Sequence, residues 1–229
     1  RLRASLVASS AVLSACARSS HWEGALEALA EMRSSALRQD AIPLNAAISA
    51  CERSLHWERA LSVLLGLQGS LLEPGRVAYS AAISACEKGR QWEWAVWLAA
   101  EAEAHNLHPD VVTFDAVISA CEKSRSWDWA LRILRHLLGL GLRPTDVTYH
   151  ASISACEKGR QPGQAVQLLS AMRARELTPG TIAYNAAIAS CEAGSCWDWA
   201  LQLLFSDMRR CTVPPDKLAY GAALGACEQ

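Results

Sequence analysis

The sequence predicts an all-α fold in which helix-turn-helix repeats stack into a superhelical solenoid. Three observations predict it: cysteines recur every 35 residues, alanines and tryptophans follow the same period, and each period contains two amphipathic helical stripes. The cysteine series is Cys16, Cys51, Cys86, Cys121, Cys156 and Cys191, with Cys227 following one residue late. Such regularity indicates an array of one repeated unit.

The period sets the expected boundaries of the units. They are 1–5 for the end of a preceding repeat, then 6–40, 41–75, 76–110, 111–145, 146–180 and 181–216, with a truncated seventh at 217–229. The sixth unit carries one extra residue before Pro215. The absence of a start methionine and the abrupt end at Gln229 suggest a piece of a longer protein.

The unit at 111–145 shows why each period should be a helical hairpin. Its first stripe is Phe114, Val117, Ile118 and Cys121, and its second is Trp127, Ala130, Leu131 and Leu134. Both have the spacing of an apolar helix face, and Pro144 then ends the unit because proline cannot continue a helix. One hairpin cannot bury its apolar face alone, so the units must stack. Alanine ladders on the first helix favour close stacking.

Composition excludes several classes of protein. With 22 Lys+Arg against 23 Asp+Glu, a net charge of −1 and 51% hydrophobic residues, the chain is neither a disordered tail nor a polybasic arm. No apolar run is long enough to span a membrane, and no targeting segment is visible. Phosphate-loop, zinc-protease, serine-hydrolase and deaminase motifs are missing, so we expect no catalytic residues, cofactor, metal or small-molecule substrate in this segment. An enzyme whose catalytic domain lies beyond Gln229 remains an alternative.

The nine cysteines are expected to be reduced. Cysteines on equivalent neighbouring helices lie too far apart for disulfides, and no CxxC pair offers zinc spacing. The six ladder cysteines are therefore interpreted as small core residues, whereas Cys196 and Cys211 lie off the ladder.

Two places in the unit vary among polar residues inside a constant frame. The fifth place holds Ser10, Asn45, Ser80, Asp115, His150, Asn185 and Gly221. The last place holds Asp40, Gly75, Asp110, Thr145, Gly180 and Asp216. The fifth place lies roughly opposite the apolar stripe, where units can differ in what they bind.

The second place is always a branched aliphatic residue, in a position to wedge against the flat face of a nucleobase. Its members are Val7, Ile42, Val77, Val112, Val147, Ile182 and Leu218. A cation near the end of the first helix, suited to phosphates, recurs as Arg18, Arg53, Lys88, Lys123 and Lys158, until Ala193 breaks the series. The alternative is that these cations merely offset the adjacent glutamates, Glu52, Glu87, Glu122 and Glu157.

A second tryptophan occurs two residues after the expected core tryptophan in three units, as Trp94, Trp129 and Trp199. Packing between units is one interpretation, and an exposed ridge for a protein partner is the other.

The run Val-Val-Thr-Phe-Asp-Ala-Val-Ile-Ser-Ala-Cys-Glu-Lys at 111–123 and the closing Leu-Arg-Pro at 142–144 resemble pentatricopeptide repeat proteins of the plain 35-residue type, over residues 6–229. The resemblance implies a right-handed superhelical α-solenoid that binds single-stranded RNA in chloroplasts or mitochondria, in RNA processing, stabilisation or translation. It also implies that the fifth and last places together read one base per unit. A protein-interaction scaffold of the tetratricopeptide kind is the alternative, although that family has a period of about 34 residues.

The family's pairing implies a base preference for some units. Ser10 with Asp40, and Ser80 with Asp110, match pairs that favour guanine, and Asn185 with Asp216 matches the pair that favours uracil. Asn45 with Gly75 hints at a pyrimidine, whereas Asp115 with Thr145 and His150 with Gly180 match no defined pair. The expected site is 5′-GYGNNU-3′, provided that the extra residue of the sixth unit is a bulge that keeps Asp216 in register.

Overall fold

The computed structural model of the chain describes residues 6–19, 21–34, 41–66 and 74–228. These residues form helices joined by short turns, so the all-α helical-repeat fold is confirmed. The chain divides into two compact units, 1–109 and 110–229, which we call the amino-terminal and carboxy-terminal units. Within the described ranges, no helix has the length and apolar character needed to cross a membrane.

The amino-terminal unit contains three helical hairpins. Its helices are α1 (Leu6–Ser19), α2 (Trp22–Ser34), α3 (Ala41–Arg53), α4 (Trp57–Leu65), α5 (Arg76–Lys88) and α6 (Trp92–Ala104). The first helices α1, α3 and α5 pack side by side. Each second helix packs against the first helix of its own hairpin, and α2 and α4 also pack against the first helix of the next hairpin. This is the stacking expected of hairpins that cannot bury their apolar faces alone.

The carboxy-terminal unit repeats the arrangement and adds one first helix. Its helices are α7 (Val111–Lys123), α8 (Trp127–Gly139), α9 (Asp146–Lys158), α10 (Pro162–Ala174), α11 (Thr181–Ala193), α12 (Trp197–Gln202), a π-helical turn (Leu203–Asp207), α13 (Met208–Arg210) and α14 (Lys217–Glu228). The extra residue of the sixth hairpin is accommodated in this continuous second helix, where the π turn adds a residue without breaking the backbone hydrogen bonding. Lys217 then begins α14.

The core consists of small and branched residues shared between neighbouring first helices. Ala50, Ala85, Ala120 and Ala155 are fully buried, so alanine does allow the first helices to approach closely. The ladder cysteines Cys51, Cys86, Cys121, Cys156 and Cys191 are also fully buried and free, as predicted. Cys16 is half-buried and Cys227 is exposed.

In the second to sixth hairpins, the turn between the two helices is a Schellman motif. The residue at the left-handed position has φ between 54° and 63° and is Leu55, Arg90, Arg125, Arg160 or Ser195. In the third hairpin, Gln91 N–H donates to the Cys86 carbonyl at 2.9 Å and Arg90 N–H donates to the Glu87 carbonyl at 3.1 Å. A non-glycine residue in this conformation costs about 1–2 kcal/mol, which the packed hairpin must offset.

The first tryptophan of each second helix is not a core residue, contrary to the sequence interpretation. Trp57 and Trp127 are half-buried because their rings lie against the turn of the next hairpin. A Cβ added at Gly89 would meet Trp57, and one added at Gly159 would meet Trp127, at contacts that no real side chain makes. Trp197 is 51% exposed. Trp57 and Trp127 therefore join successive hairpins.

Candidate nucleic-acid interface

The second place of each unit lies on the first turn of a first helix and faces solvent. At every second place whose side chain is described, the residue is between 57% and 74% exposed. These residues are Ile42, Val77, Val112, Val147, Ile182 and Leu218. The side chain of Val7 lies outside the described residues. A row of exposed branched aliphatic residues provides apolar surface that a flat ring could cover.

The last place of a unit sits at the N-cap of the next first helix. Asp110 accepts a hydrogen bond from Thr113 N–H at 3.0 Å, and Asp216 accepts one from Ala219 N–H at 2.9 Å. Thr145 forms a capping box with Thr148. Gly75 and Gly180 occupy the same position without a side chain. The capping role fixes the last place at one end of each first helix.

The structure brings the fifth and last places of two units into hydrogen-bond contact. Asn185 donates from Nδ2 to Asp216 Oδ2 at 2.9 Å. Asp115 accepts from the hydroxyl of Thr145 at 3.2 Å and also from the hydroxyl of Thr148. A polar pair therefore lies across the junction of neighbouring first helices, and the sixth unit keeps this register despite its extra residue.

Several fifth-place side chains keep a polar atom that nothing in the described structure satisfies. Asn45 Oδ1, His150 Nε2 and Asn185 Oδ1 are each shielded from solvent and have no hydrogen-bond partner there. A shielded polar atom without a partner carries a desolvation cost, and such atoms often mark a place where a ligand binds. Here they recur at one place of the repeat.

A groove of about 570 Å³ lies along the first helices α9, α11 and α14. Its lining includes the fifth-place residues His150 and Asn185 and the second-place residues Ile182 and Leu218. Glu157 and Glu192 also line it, and Lys217 is the cation among the lining residues. The groove thus combines the polar side chains of the fifth place with the apolar side chains of the second place.

Local surroundings shift the pKa of three carboxylates near this surface. Burial raises the pKa of Asp115, although the hydroxyls of Thr148 and Thr145 oppose the shift. Burial also raises the pKa of Glu157. The hydrogen bonds from Ala219 N–H and Asn185 lower the pKa of Asp216, which therefore stays ionised at neutral pH.

The cation series lies at the carboxyl end of the first helices, and Lys88 and Lys158 form ion pairs. Lys88 Nζ lies 2.9 Å from Glu52 Oε1, and Lys158 pairs with Glu122 in the same way. Each of these two lysines pairs with the glutamate of the preceding unit, whereas the sequence suggested the adjacent glutamate. Adjacent residues on a helix do not face each other. Arg18 and Arg53 are exposed and have no ion pair within the described structure.

The remaining predicted site residues are Ser10, Asp40, Ser80, Asp110 and Lys123. Asp40 and the side chain of Ser10 lie outside the described residues. Ser80 lies on α5 in the amino-terminal unit, Asp110 caps α7 in the carboxy-terminal unit, and Lys123 is the last residue of α7. No group of His, Cys, Asp and Glu that could hold a metal ion occurs among the residues that the structure describes.

The second tryptophans lie at the surface of the second helices. Trp94 packs edge-on against Trp97 at 5.7 Å between ring centroids, and Arg132 lies over the Trp129 ring at 5.2 Å. The Trp199 ring would contact a Cβ added at Gly163 at 3.7 Å. All three rings are partly exposed. The contacts of Trp94 and Trp129 lie within their own helices, whereas that of Trp199 reaches the preceding hairpin.

The fold and this surface define a helical-repeat protein in which each unit presents one aliphatic and one small polar side chain. A family model for the pentacotripeptide-repeat region of PRORP matches residues 6–174. The chain belongs to the pentatricopeptide repeat family.

Solved structures of that family share the fold. The pentatricopeptide repeat protein PPR10 in complex with an 18-nt psaJ RNA element has a TM-score of 0.80 at 20% identity, over 100% of this chain and 33% of that one. PPR10 from maize has a TM-score of 0.69 at 23% identity, over 96% of this chain and 31% of that one. This chain thus spans about a third of PPR10.

A third structure is the PPR domain of Arabidopsis thaliana protein-only RNase P 1 in complex with tRNA. Its TM-score is 0.68 at 12% identity, over 81% of this chain and 97% of that one. A search of the curated proteins finds no match.

Proposed function

We propose that this chain is a sequence-selective, single-stranded RNA-binding array that acts in organellar RNA processing, stabilisation or translation. The observation that carries the proposal is the recurrence of a shielded polar atom without a partner in the described structure at the fifth place of three units, in Asn45, His150 and Asn185. The exposed second-place residue beside it supplies a surface for a base. RNA-bound structures of the same fold support the nature of the ligand.

The proposed readers are the fifth and last places together. Asn185 with Asp216 reads uracil, Ser80 with Asp110 and Ser10 with Asp40 read guanine, and Asn45 with Gly75 reads a pyrimidine. The proposed site is 5′-GYGNNU-3′, with one base per unit and the amino terminus toward the RNA 5′ end. The members of the cation series approach the phosphates, and Arg18 and Arg53 are exposed.

Fluorescence anisotropy with labelled RNA tests the proposal. We expect GUGAAU to bind more tightly than a scrambled RNA, its DNA version or a duplex, with affinity that falls as salt rises. Replacing Lys88, Lys123 and Lys158 together with alanine should weaken binding to all RNAs and flatten the salt dependence. Equal binding of all four nucleic acids would refute the proposed base selectivity. No binding at micromolar protein would refute the RNA-binding function.

A protein-interaction scaffold is the second candidate function. The half-exposed rings of Trp94 and Trp97 on α6, those of Trp129 and Trp199 in the carboxy-terminal unit, and the net charge of −1 favour it. Under this function, substitution of these tryptophans with serine would abolish partner capture from an organellar extract and leave RNA affinity unchanged.

A further inference from the structure

Two glutamates at the end of first helices each accept two donors from the next first helix. Glu52 Oε1 accepts from the hydroxyl of Ser84 at 2.7 Å and from the ammonium of Lys88 at 2.9 Å. In the carboxy-terminal unit, Glu122 Oε1 accepts from the hydroxyl of Ser154 at 3.0 Å and from the ammonium of Lys158. The same arrangement thus occurs in both compact units.

These contacts are partly shielded from water. The side chains of Glu52 and Glu122 are 20% and 16% exposed, and those of Lys88 and Lys158 are each 35% exposed. The serine hydroxyl fixes the carboxylate, so the lysine is held in a defined position. A charge-assisted pair of this kind is stronger than a fully exposed surface pair.

A hydroxyl and an ammonium that converge on one anionic oxygen are also the donors that bind an RNA phosphate. We propose that Glu52 and Glu122 are internal competitors for the RNA backbone, which hold Lys88 and Lys158 until a phosphate displaces the carboxylate. The inference rests on the proposed RNA-binding function. We call each Glu–Ser–Lys group a phosphate latch.

The latch contributes to specificity. A polyanion without the correct bases has to displace the carboxylates with no gain from the fifth-place readers, so its binding is weakened. An RNA with the correct bases gains contacts that offset the opening of the latches. Each released glutamate also takes up cations from solution, which reduces the net ion release on binding and flattens the salt dependence.

The chain contains its own control for this inference. Glu157 occupies the same place in the unit as Glu52 and Glu122, but the two donor places on the next first helix are Ala189 and Ala193. Glu157 therefore carries the same charge on the same face without a latch. Its neighbours with charge or titratable groups are Lys158 and Glu122, and Glu192 also lines the groove beside it.

The test compares Glu52→Gln, Glu122→Gln and Glu157→Gln in the full chain. Glutamine keeps an oxygen that accepts from the serine hydroxyl, so the variants are expected to fold, with an unchanged Tm as the check. Anisotropy titrations use GUGAAU and a scrambled RNA at several salt concentrations. We expect Glu52→Gln and Glu122→Gln each to bind the scrambled RNA about fivefold more tightly, with a change below about twofold for Glu157→Gln.

A double-mutant cycle identifies the lysine as the released group. In a Lys158→Ala background, Glu122→Gln should give no gain, because no ammonium is left to release. The salt slope of Glu122→Gln should steepen by about 0.7, the value for one more neutralised phosphate on a single strand. Lys88→Ala with Glu52→Gln provides the same cycle in the amino-terminal unit.

The outcomes separate this inference from the proposed function. If the wild-type chain binds no RNA, both are overturned. If it binds RNA and Glu157→Gln gains as much as Glu122→Gln, or if the gain survives in the Lys158→Ala background, the phosphate latch is refuted and RNA binding stands.

Discussion

Substitution of Asp216 with asparagine should relax base selection by the sixth unit. Asp216 is ionised and can only accept, so Asn185 must point its Nδ2 toward it, as the 2.9 Å hydrogen bond shows. The Oδ1 of Asn185 is then held as the free acceptor of the pair. An acceptor suits the N3–H donor of uracil and opposes the N3 acceptor of cytosine.

The expected magnitude follows from the unmade hydrogen bond. Two acceptors that face each other in a shielded site lose roughly 1–3 kcal/mol, so the wild-type chain should prefer GUGAAU over GUGAAC by roughly 5- to 150-fold. An asparagine at position 216 can donate or accept, which leaves the Asn185 amide free to turn over. The preference should then fall to within about threefold, since either amide orientation can be satisfied.

Stability should change little, because asparagine caps a helix about as well as aspartate and can keep the hydrogen bond from Ala219 N–H. Anisotropy titrations of both RNAs measure the preference. Asp198→Asn is the control, since it removes the same charge from an exposed position on α12. If Asp216→Asn keeps the wild-type preference while Asp198→Asn behaves normally, the orientation argument is wrong.

Three further predictions test the fold and the electrostatics around the site. Gly159→Ala should lower the free energy of unfolding by about 1–3 kcal/mol, because the added Cβ would clash with Trp127. Gly139→Ala is the control: nothing lies within 4 Å of its added Cβ, so the free energy of unfolding should be unchanged or rise by up to about 1 kcal/mol. Urea denaturation measures both. Burial raises the pKa of the fully buried ladder thiols, to about 11 for Cys51 and about 12 for Cys121. At pH 8 iodoacetamide should therefore label the half-buried or exposed Cys16, Cys196, Cys211 and Cys227 first, as mass spectrometry of the native chain would show. Because the pKa of Asp115 is raised in the folded state, the protonated carboxyl favours folding at acid pH, and this stability is lost as pH rises through the folded pKa. Asp115→Asn does not titrate, so its Tm should rise relative to that of the wild type between acid and neutral pH. A constant difference in Tm would contradict this.

The helices were predictable because the period constrains them many times over. Each apolar stripe recurs in several units, so the first helices α3, α5, α7, α9 and α11 all begin where the pattern places them. The turns were not predictable. Gly89 and Gly159 suggest glycine turns, yet their φ values are −78° and −87°, and the left-handed residues are Arg90 and Arg160 one position later. The glycines are required by the tryptophan of the preceding hairpin, a contact that no local pattern reveals.

The candidate site was partly visible in the sequence for a related reason. The fifth and last places were found because their polar side chains vary between units whose other positions are constant. The second place was found because it always holds a branched aliphatic residue. The glutamate–lysine pairs were missed because their partners are 36 residues apart, one residue more than the period. That offset depends on how far each first helix is displaced along its neighbour, which packing decides and sequence spacing does not.

The position of the last place would couple the proposed base selection to stability. Asp110, Thr145 and Asp216 each cap the following helix, and Thr145 and Asp216 also touch the fifth-place side chain of their own unit. A substitution there changes the reader and the helix N-terminus together, at a cost of about 1 kcal/mol when the cap is lost. Gly75 and Gly180 occupy this place without a side chain, so α5 and α11 gain no side-chain cap, and Asn45 and His150 have no partner from that place. The small polar residues at the last place therefore satisfy two requirements at once: aspartate, asparagine, serine and threonine are the residues that both cap a helix and offer a compact hydrogen-bonding group to a base.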